Sequence, residues 1–276
     1  MACFPSLNLL VKFGPNLNIA EEQCLRAVRG LLGDTMPVPE VYGWRQDGNK
    51  LFIYMEHVHG VTLEDCWPEL SRQERFDVCD QLHAMLSALR TLKQDPRDTF
   101  IGAIGRQPLR DIILHSCSKS GPFADVRSFH DAYSWLKPSA PDPSTDWVSA
   151  HPMRPKLIDD IPIVFTHGDL HPSNIVVSPA DARVLAIVDW HQSGWLPAYW
   201  EFCKALWVGK MRRGDQLTRE WDAECLPRIL GTLLHMKHSS LFLTTLPSHM
   251  GVDLAEYPIT NYKHIAIYQH TQDDST

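Results

Sequence analysis

The chain has 276 residues, 44% of them hydrophobic and 21% charged, and a net charge of -7 at pH 7. That length and apolar fraction suffice for a full globular core in one large domain or two lobes. The acidic balance and scattered basic residues exclude the clustered positive surface with which nucleic-acid binders neutralise phosphates.

No stretch approaches the roughly 18 apolar residues of a membrane span, so no membrane partner is expected. There is no N-x-[ST] acceptor. Seven widely spaced cysteines (Cys3, Cys24, Cys66, Cys79, Cys117, Cys203, Cys225) without a C-x-x-C pair fit neither a disulfide framework nor a zinc ribbon. A reducing, cytoplasmic setting is the expectation.

Leu9-Leu10-Val11-Lys12-Phe13 has the composition of a short strand ended by Gly14-Pro15. Residues 19–32 then carry helical apolar spacing at Cys24, Leu25, Val28 and Leu31/Leu32. The proline-marked Pro37-Val38-Pro39 leads to a hairpin around Asp47-Gly48-Asn49, with Leu51-Phe52-Ile53-Tyr54-Met55-Glu56 as its second strand. A small antiparallel sheet with one helix is expected here.

Ser71-Arg72-Gln73-Glu74 reads as a capping box ahead of a helix whose apolar face holds Phe76, Val78/Cys79, Leu82, Met85/Leu86 and Leu89. Proline, serine and aspartate between about 116 and 155 predict irregular structure around a short helix near 129–136. Residues 161–166, 175–177 and 184–188 read as strands, with Ser178-Pro179-Ala180-Asp181 as a turn. Segments 198–208 and 219–236 are expected to be helical, so the second half is mostly helix around a small sheet.

The chemistry concentrates in His167-Gly168-Asp169-Leu170-His171-Pro172-Ser173-Asn174 and in Ile187-Val188-Asp189-Trp190. One strand hairpin brings Asp169, Asn174 and Asp189 toward each other. A hard cation such as Mg2+ takes oxygen ligands and keeps several waters, so a carboxylate, an amide oxygen and nucleotide phosphates suit it. A carboxylate beside the metal can orient an attacking hydroxyl and accept its proton. Singly, each residue is equally explained as a turn or strand-end residue; the joint pattern points to phosphoryl transfer.

These two segments resemble the catalytic loop and metal-binding segment of the aminoglycoside phosphotransferase family, and Gly194-Trp195-Leu196-Pro197-Ala198-Tyr199-Trp200-Glu201 is reminiscent of its fungal members. The resemblance implies an α/β (α+β), two-lobed protein kinase-like fold. Residues 1–60 would form a reduced nucleotide-binding lobe with a hinge near 56–60, and 61–276 a mostly helical catalytic and acceptor-binding lobe. It implies Asp169 as catalytic base, and Asn174 and Asp189 as Mg2+ ligands. Lys12, in Val11-Lys12-Phe13-Gly14, resembles the phosphate-contacting lysine, steadied by Glu21, with Glu22 as an alternative partner. Tyr54-Met55-Glu56-His57-Val58 resembles the hinge, where the backbone at Glu56 and Val58 would meet adenine. The implied activity is ATP-dependent transfer to a hydroxyl of a small molecule.

Only about ten residues precede the lysine strand, so the first two strands and phosphate-covering loop of the family are expected to be mostly absent. That keeps open an alternative, a kinase-like binding module with weak or no turnover. His191 stands where fungal relatives often have glutamate and reads as a partly exposed loop histidine. The spacing His167-x-x-x-His171 also invites a zinc reading, but Gly168 and Pro172 disfavour a helix through the pair and no H-E-x-x-H occurs. Trp190, Trp195, Trp200 and Trp207 read as core rather than substrate surface. The acceptor and the oligomeric state leave no readable pattern.

Overall fold

The computed structural model describes residues 1–15, 17–114, 120–133, 154, 157–211 and 216–231, with side chains at all of these but 133 and 208–211. Alternating apolar residues build the first sheet. β1 (Ala2–Phe4), β2 (Leu9–Gly14), β4 (Lys50–Glu56) and β3 (Val41–Asp47) lie side by side in that order, each antiparallel to its neighbour. Gly48, with φ of 57°, supplies the left-handed step in the tight loop between the paired Asp47 and Lys50. Cross-strand partners share a face, and the register Lys12↔Ile53 puts Lys12 on the same face as the buried Ile53. This face packs against Cys24, Leu25 and Val28 of α1 (Ile19–Leu32). Asn18 caps α1 by accepting from the Ala20 N–H, and Glu21 and Glu22 occupy its first turn, where acidic groups are favoured.

Between Glu56 and Val61 the chain passes to a second sheet, in the order β5 (Val61–Thr62), β7 (Ile175–Val177), β8 (Val184–Ile187). Gly60 lies so near β7 that a Cβ would stand 2.6 Å from the Val177 carbonyl oxygen, which excludes any larger residue. A third pair joins β6 (Ile163–Thr166) to β9 (Gly194–Pro197). β1, β5 and β9 are too short, or too rich in glycine and proline, to register in the sequence pattern.

The helices follow their apolar faces. α2 (Leu63–Cys66) precedes α3 (Arg72–Leu89), whose capping box is complete: Glu74 N–H donates to Ser71 Oγ (3.3 Å) and Ser71 N–H to Glu74 Oε2 (2.8 Å). Val78, Cys79, Leu82, Leu86 and Leu89 form its buried face. The expected short helix is α4 (Val126–Tyr133); residues 134–136 lie outside the described residues. α5 (Trp200–Met211) is followed by α6 (Gln216–Glu220), a π-helical turn (Trp221–Cys225) and α7 (Leu226–Leu230). The sequence suggests one helix over 219–236, but Pro227 in the first turn of α7 has no N–H to donate, and the wide turn before it makes room for the ring. Residues 232–236 lie outside the described residues.

One core runs through both sheets and includes α1, α3, α5 and α7; a second, with Ile101, Leu109, Ile113, Phe129, Leu196 and Trp200, surrounds β9 and α4. Trp190 and Trp200 are fully buried, in keeping with core packing.

Candidate active site

β6 delivers the chain into His167-Gly168-Asp169, and local geometry explains each residue type. Gly168 has φ of 78°, and a Cβ there would lie 2.5 Å from the Gln192 carbonyl oxygen, so both backbone shape and space demand glycine. His167 Nδ1 accepts the Asp169 N–H (3.2 Å), which leaves Nε2–H to donate to the Val188 carbonyl (3.0 Å). The ring is thereby held in one neutral tautomer. Burial lowers its pKa, against the pull of Glu201.

Glu201 on α5 accepts the N–H of His167 (2.6 Å, Oε2) and of Gly168 (3.1 Å, Oε1). It is 2% exposed, and burial raises its pKa. Sequence reasoning assigned Glu201 no role. The available signal was a lone carboxylate inside the apolar run Trp200-Glu201-Phe202-Cys203, since a buried charge requires partners.

Asp169 is 3% exposed, and its backbone oxygen and Oδ2 both accept from Asn174 Nδ2, at 2.9 and 3.0 Å. Burial raises its pKa, while the charges of Lys204 and His191 and the Asn174 hydrogen bond pull it back. Asn174 closes a 3-10 turn (Pro172–Asn174) whose cap is His171 Nδ1, accepting the Ser173 N–H. The Val188 N–H then donates to the Asn174 carbonyl at 2.9 Å, placing Asn174 beside the strand that leads to Asp189.

Asp189 stands in the left-handed region (φ 67°, ψ 58°), a conformation that aspartate tolerates better than most residues. Its Oδ1 accepts from Lys12 Nζ (2.5 Å) and from His191 Nδ1 (2.7 Å). Burial opposes the charge, but Lys12 and His191 outweigh it and hold the carboxyl well below the usual range. Lys12 Nζ also donates to Glu21 Oε1 at 2.7 Å, and the two carboxylates raise its pKa against burial. Glu22 points elsewhere, to Arg26 one helical turn along. His191 is a partly exposed loop residue whose pKa burial lowers but Asp189 raises further.

The structure thus gathers Lys12, Glu21 and Asp189 into one charge cluster, with Asp169 and Asn174 next to it through the β7–β8 hairpin. Glu56 and Val58 stand apart. They border a cleft of about 360 Å³ whose lining includes Val38, Leu185 and Ala186 but none of the cluster residues. The Glu56 N–H is committed to the Glu40 carbonyl at 2.8 Å.

A hard cation fits this donor set. Asn174 spends its Nδ2 on two oxygens of Asp169, which fixes the amide and directs Oδ1 away from Asp169. Among the described residues neither Asn174 Oδ1 nor Asp189 Oδ2 has a hydrogen-bond partner, so two oxygens remain for a cation completed by phosphate and water. Among the same residues no group of three His, Cys, Asp or Glu side chains is arranged to hold a metal.

Comparison with known proteins bears on the fold and the family. Apo aminoglycoside phosphotransferase APH(4)-Ia, in a thermostable mutant form, superposes with a TM-score of 0.55 at 17% identity, over 87% of this chain and 80% of that one. Aminoglycoside phosphotransferase APH(3'')-Id from Streptomyces rimosus gives 0.51 at 15% identity, over 88% and 87%. The architecture is accordingly the kinase-like fold of these enzymes. Acyl-CoA dehydrogenase family member 11 of Gallus gallus is 27% identical over 177 residues, 60% of this chain. This chain spans only 20% of that relative's length. The sequence profile of the phosphotransferase enzyme family (APH) matches residues 18–232, beginning past Lys12. The chain belongs to the phosphotransferase enzyme family.

Proposed function

We propose that the chain transfers the γ-phosphoryl group of ATP to a hydroxyl of a small molecule. One observation carries the reading: Lys12 Nζ, 177 positions away in sequence, bonds Asp189 and Glu21 at once, beside a buried Asp169. In phosphoryl transfer catalysis is largely positioning and charge placement, and the cluster supplies both. Similar structures support nucleotide and polyol chemistry: one is a ternary complex of APH(4)-Ia with AMP-PNP and hygromycin B, another a complex of APH(3'')-Id with ADP and streptomycin.

In this reading Asp169 accepts the acceptor's hydroxyl proton. Its Oδ2 is held by Asn174, so Oδ1 takes the proton as the hydroxyl oxygen bonds phosphorus and the bond to the leaving nucleotide breaks. Lys12, steadied by Glu21, contacts the phosphates. Asn174 and Asp189 hold Mg2+, which when bound neutralises charge on the phosphate oxygens. Residues 1–60 act as the nucleotide lobe, joined to 61–276 through 56–60, where the backbone at Glu56 and Val58 meets adenine. Among the described residues no helix is long and apolar enough to cross a membrane, and a cytoplasmic site of action belongs to the same proposal.

The test is thermal melting with saturating Mg-ATP, followed by ADP release over a panel of hydroxyl acceptors. Stabilisation that Asp189→Ala abolishes, with acceptor-dependent ADP release, supports the enzyme. Stabilisation without turnover on any acceptor makes the chain a nucleotide-binding module, and no stabilisation removes the nucleotide reading altogether.

A further inference from the structure

We propose that Lys204 is a positioning residue for the phosphoryl transfer proposed above, locking the loop that carries Asp189 against the loop that carries Asp169. Lys204 lies on α5 three residues after Glu201, on the same helical face. Its Nζ donates to Gln192 Oε1 at 2.6 Å and pairs with Asp111 Oδ2 at 2.9 Å, with both charged side chains fully buried. Gln192 Oε1 also accepts the Ile112 N–H (3.0 Å). Asp111 accepts the Trp200 indole N–H (2.8 Å) and the Ile113 N–H (2.8 Å). Segment 111–113, the Asp189–Gln192 loop and α5 are therefore tied at one ammonium group.

Gln192 is the link to catalysis. Its side chain is fixed by Lys204, and its carbonyl oxygen stands 2.5 Å from where a Cβ on Gly168, the residue before Asp169, would be, so the two backbones run close together there. Glu201 holds the same catalytic loop from the other end through the His167 and Gly168 amides. One helix thus grips one loop directly and the other through a glutamine. Stability alone does not account for the pair, because a buried ion pair does about as well as, or worse than, apolar residues of the same volume. Apolar residues lack the directed N–H···O bond that sets where Gln192, and with it Asp189, sits relative to Asp169.

The experiment compares the wild type with Lys204→Met/Asp111→Asn, which removes both buried charges together, and with Gln192→Leu, which leaves the ion pair in place. Readouts are ATP turnover with KM and kcat separated, melting temperature, and hydrogen exchange of peptides covering 167–174 and 189–195. The expected result is a kcat lowered about 10- to 100-fold, a proportionally smaller change in the KM for ATP, and faster exchange at both loops relative to the remaining chain. Unchanged kcat with unchanged exchange overturns the proposal. So does a loss of kcat that follows the folded fraction while exchange at the two loops matches the rest. If the wild type itself shows no turnover, the phosphotransferase reading fails separately, and the exchange result alone decides: selective loosening of both loops supports the positioning role, and its absence overturns it.

Discussion

Replacing Glu201 by glutamine probes the hold on the catalytic loop. The carboxylate accepts two buried N–H groups, from His167 and Gly168. Glutamine keeps one acceptor oxygen and turns an NH2 group toward the second donor, stranding one N–H. A buried unsatisfied donor costs about 1–3 kcal/mol, which in a chain of this size lowers the melting temperature by roughly 2–4 °C per kcal/mol. The pH dependence gives a second, signed reading. Burial raises the pKa of Glu201, so between the ordinary carboxylate value and the raised one the native state holds more protons than the unfolded state. The stability contributed by Glu201 is therefore fully present below the ordinary value, falls as pH rises through the raised one, and is level above it. Glu201→Gln lacks this slope, so its deficit against wild type is largest in acid and shrinks toward neutrality. Melting both proteins across that range, with turnover measured alongside, checks the argument. Equal melting temperatures throughout, or a deficit that grows with pH, would refute it.

Three further outcomes are expected. Asp169→Asn should lower kcat by about 10²–10⁴ without lowering the melting temperature, since it removes a buried charge. In the wild type, activity should decline as pH falls through a value above the ordinary carboxylate range, because burial raises this base; a steady-state pH profile reads the limb directly. Lys12→Met leaves Glu21 without its cation and Asp189 with His191 alone, and should cost about 3 kcal/mol in a urea melt, the low end for breaking a buried pair, while weakening nucleotide binding measured by calorimetry. Gly168→Ala combines a left-handed backbone with a 2.5 Å contact to the Gln192 carbonyl oxygen and should destabilise by about 2–5 kcal/mol; a thermal melt matching wild type would contradict the geometry.

The candidate site was legible where local sequence brings its residues together. Asp169, Asn174 and Asp189 sit on a hairpin whose strands and turn are short-range features, and α1 begins and ends at the residues its apolar spacing indicates. The choice between Glu21 and Glu22 was not legible. Both are buried in the first turn of α1, and Lys12 meets Glu21 because of the register of β2 on β4, a contact across some forty residues. β9 was hidden for the same reason. Gly-Trp-Leu-Pro carries no alternation, and it becomes a strand by pairing with β6 about thirty residues upstream. Glu201 and Lys204 lie inside an apolar helix, so their burial was implied, but their partners are set by loops that the helical pattern does not describe.

The ammonium of Lys12 is already shared between two carboxylates. Any phosphate that approached it would enter as a competitor of the protein's own anions, so in the proposed reaction affinity for a free nucleotide would be set by how readily Asp189 releases the lysine. A cation arriving with the phosphates would draw Asp189 toward itself and free Lys12 in the same event. Metal and nucleotide should therefore help each other to bind, and the mutual help should disappear in Asp189→Asn, where Lys12 faces an uncharged neighbour from the start.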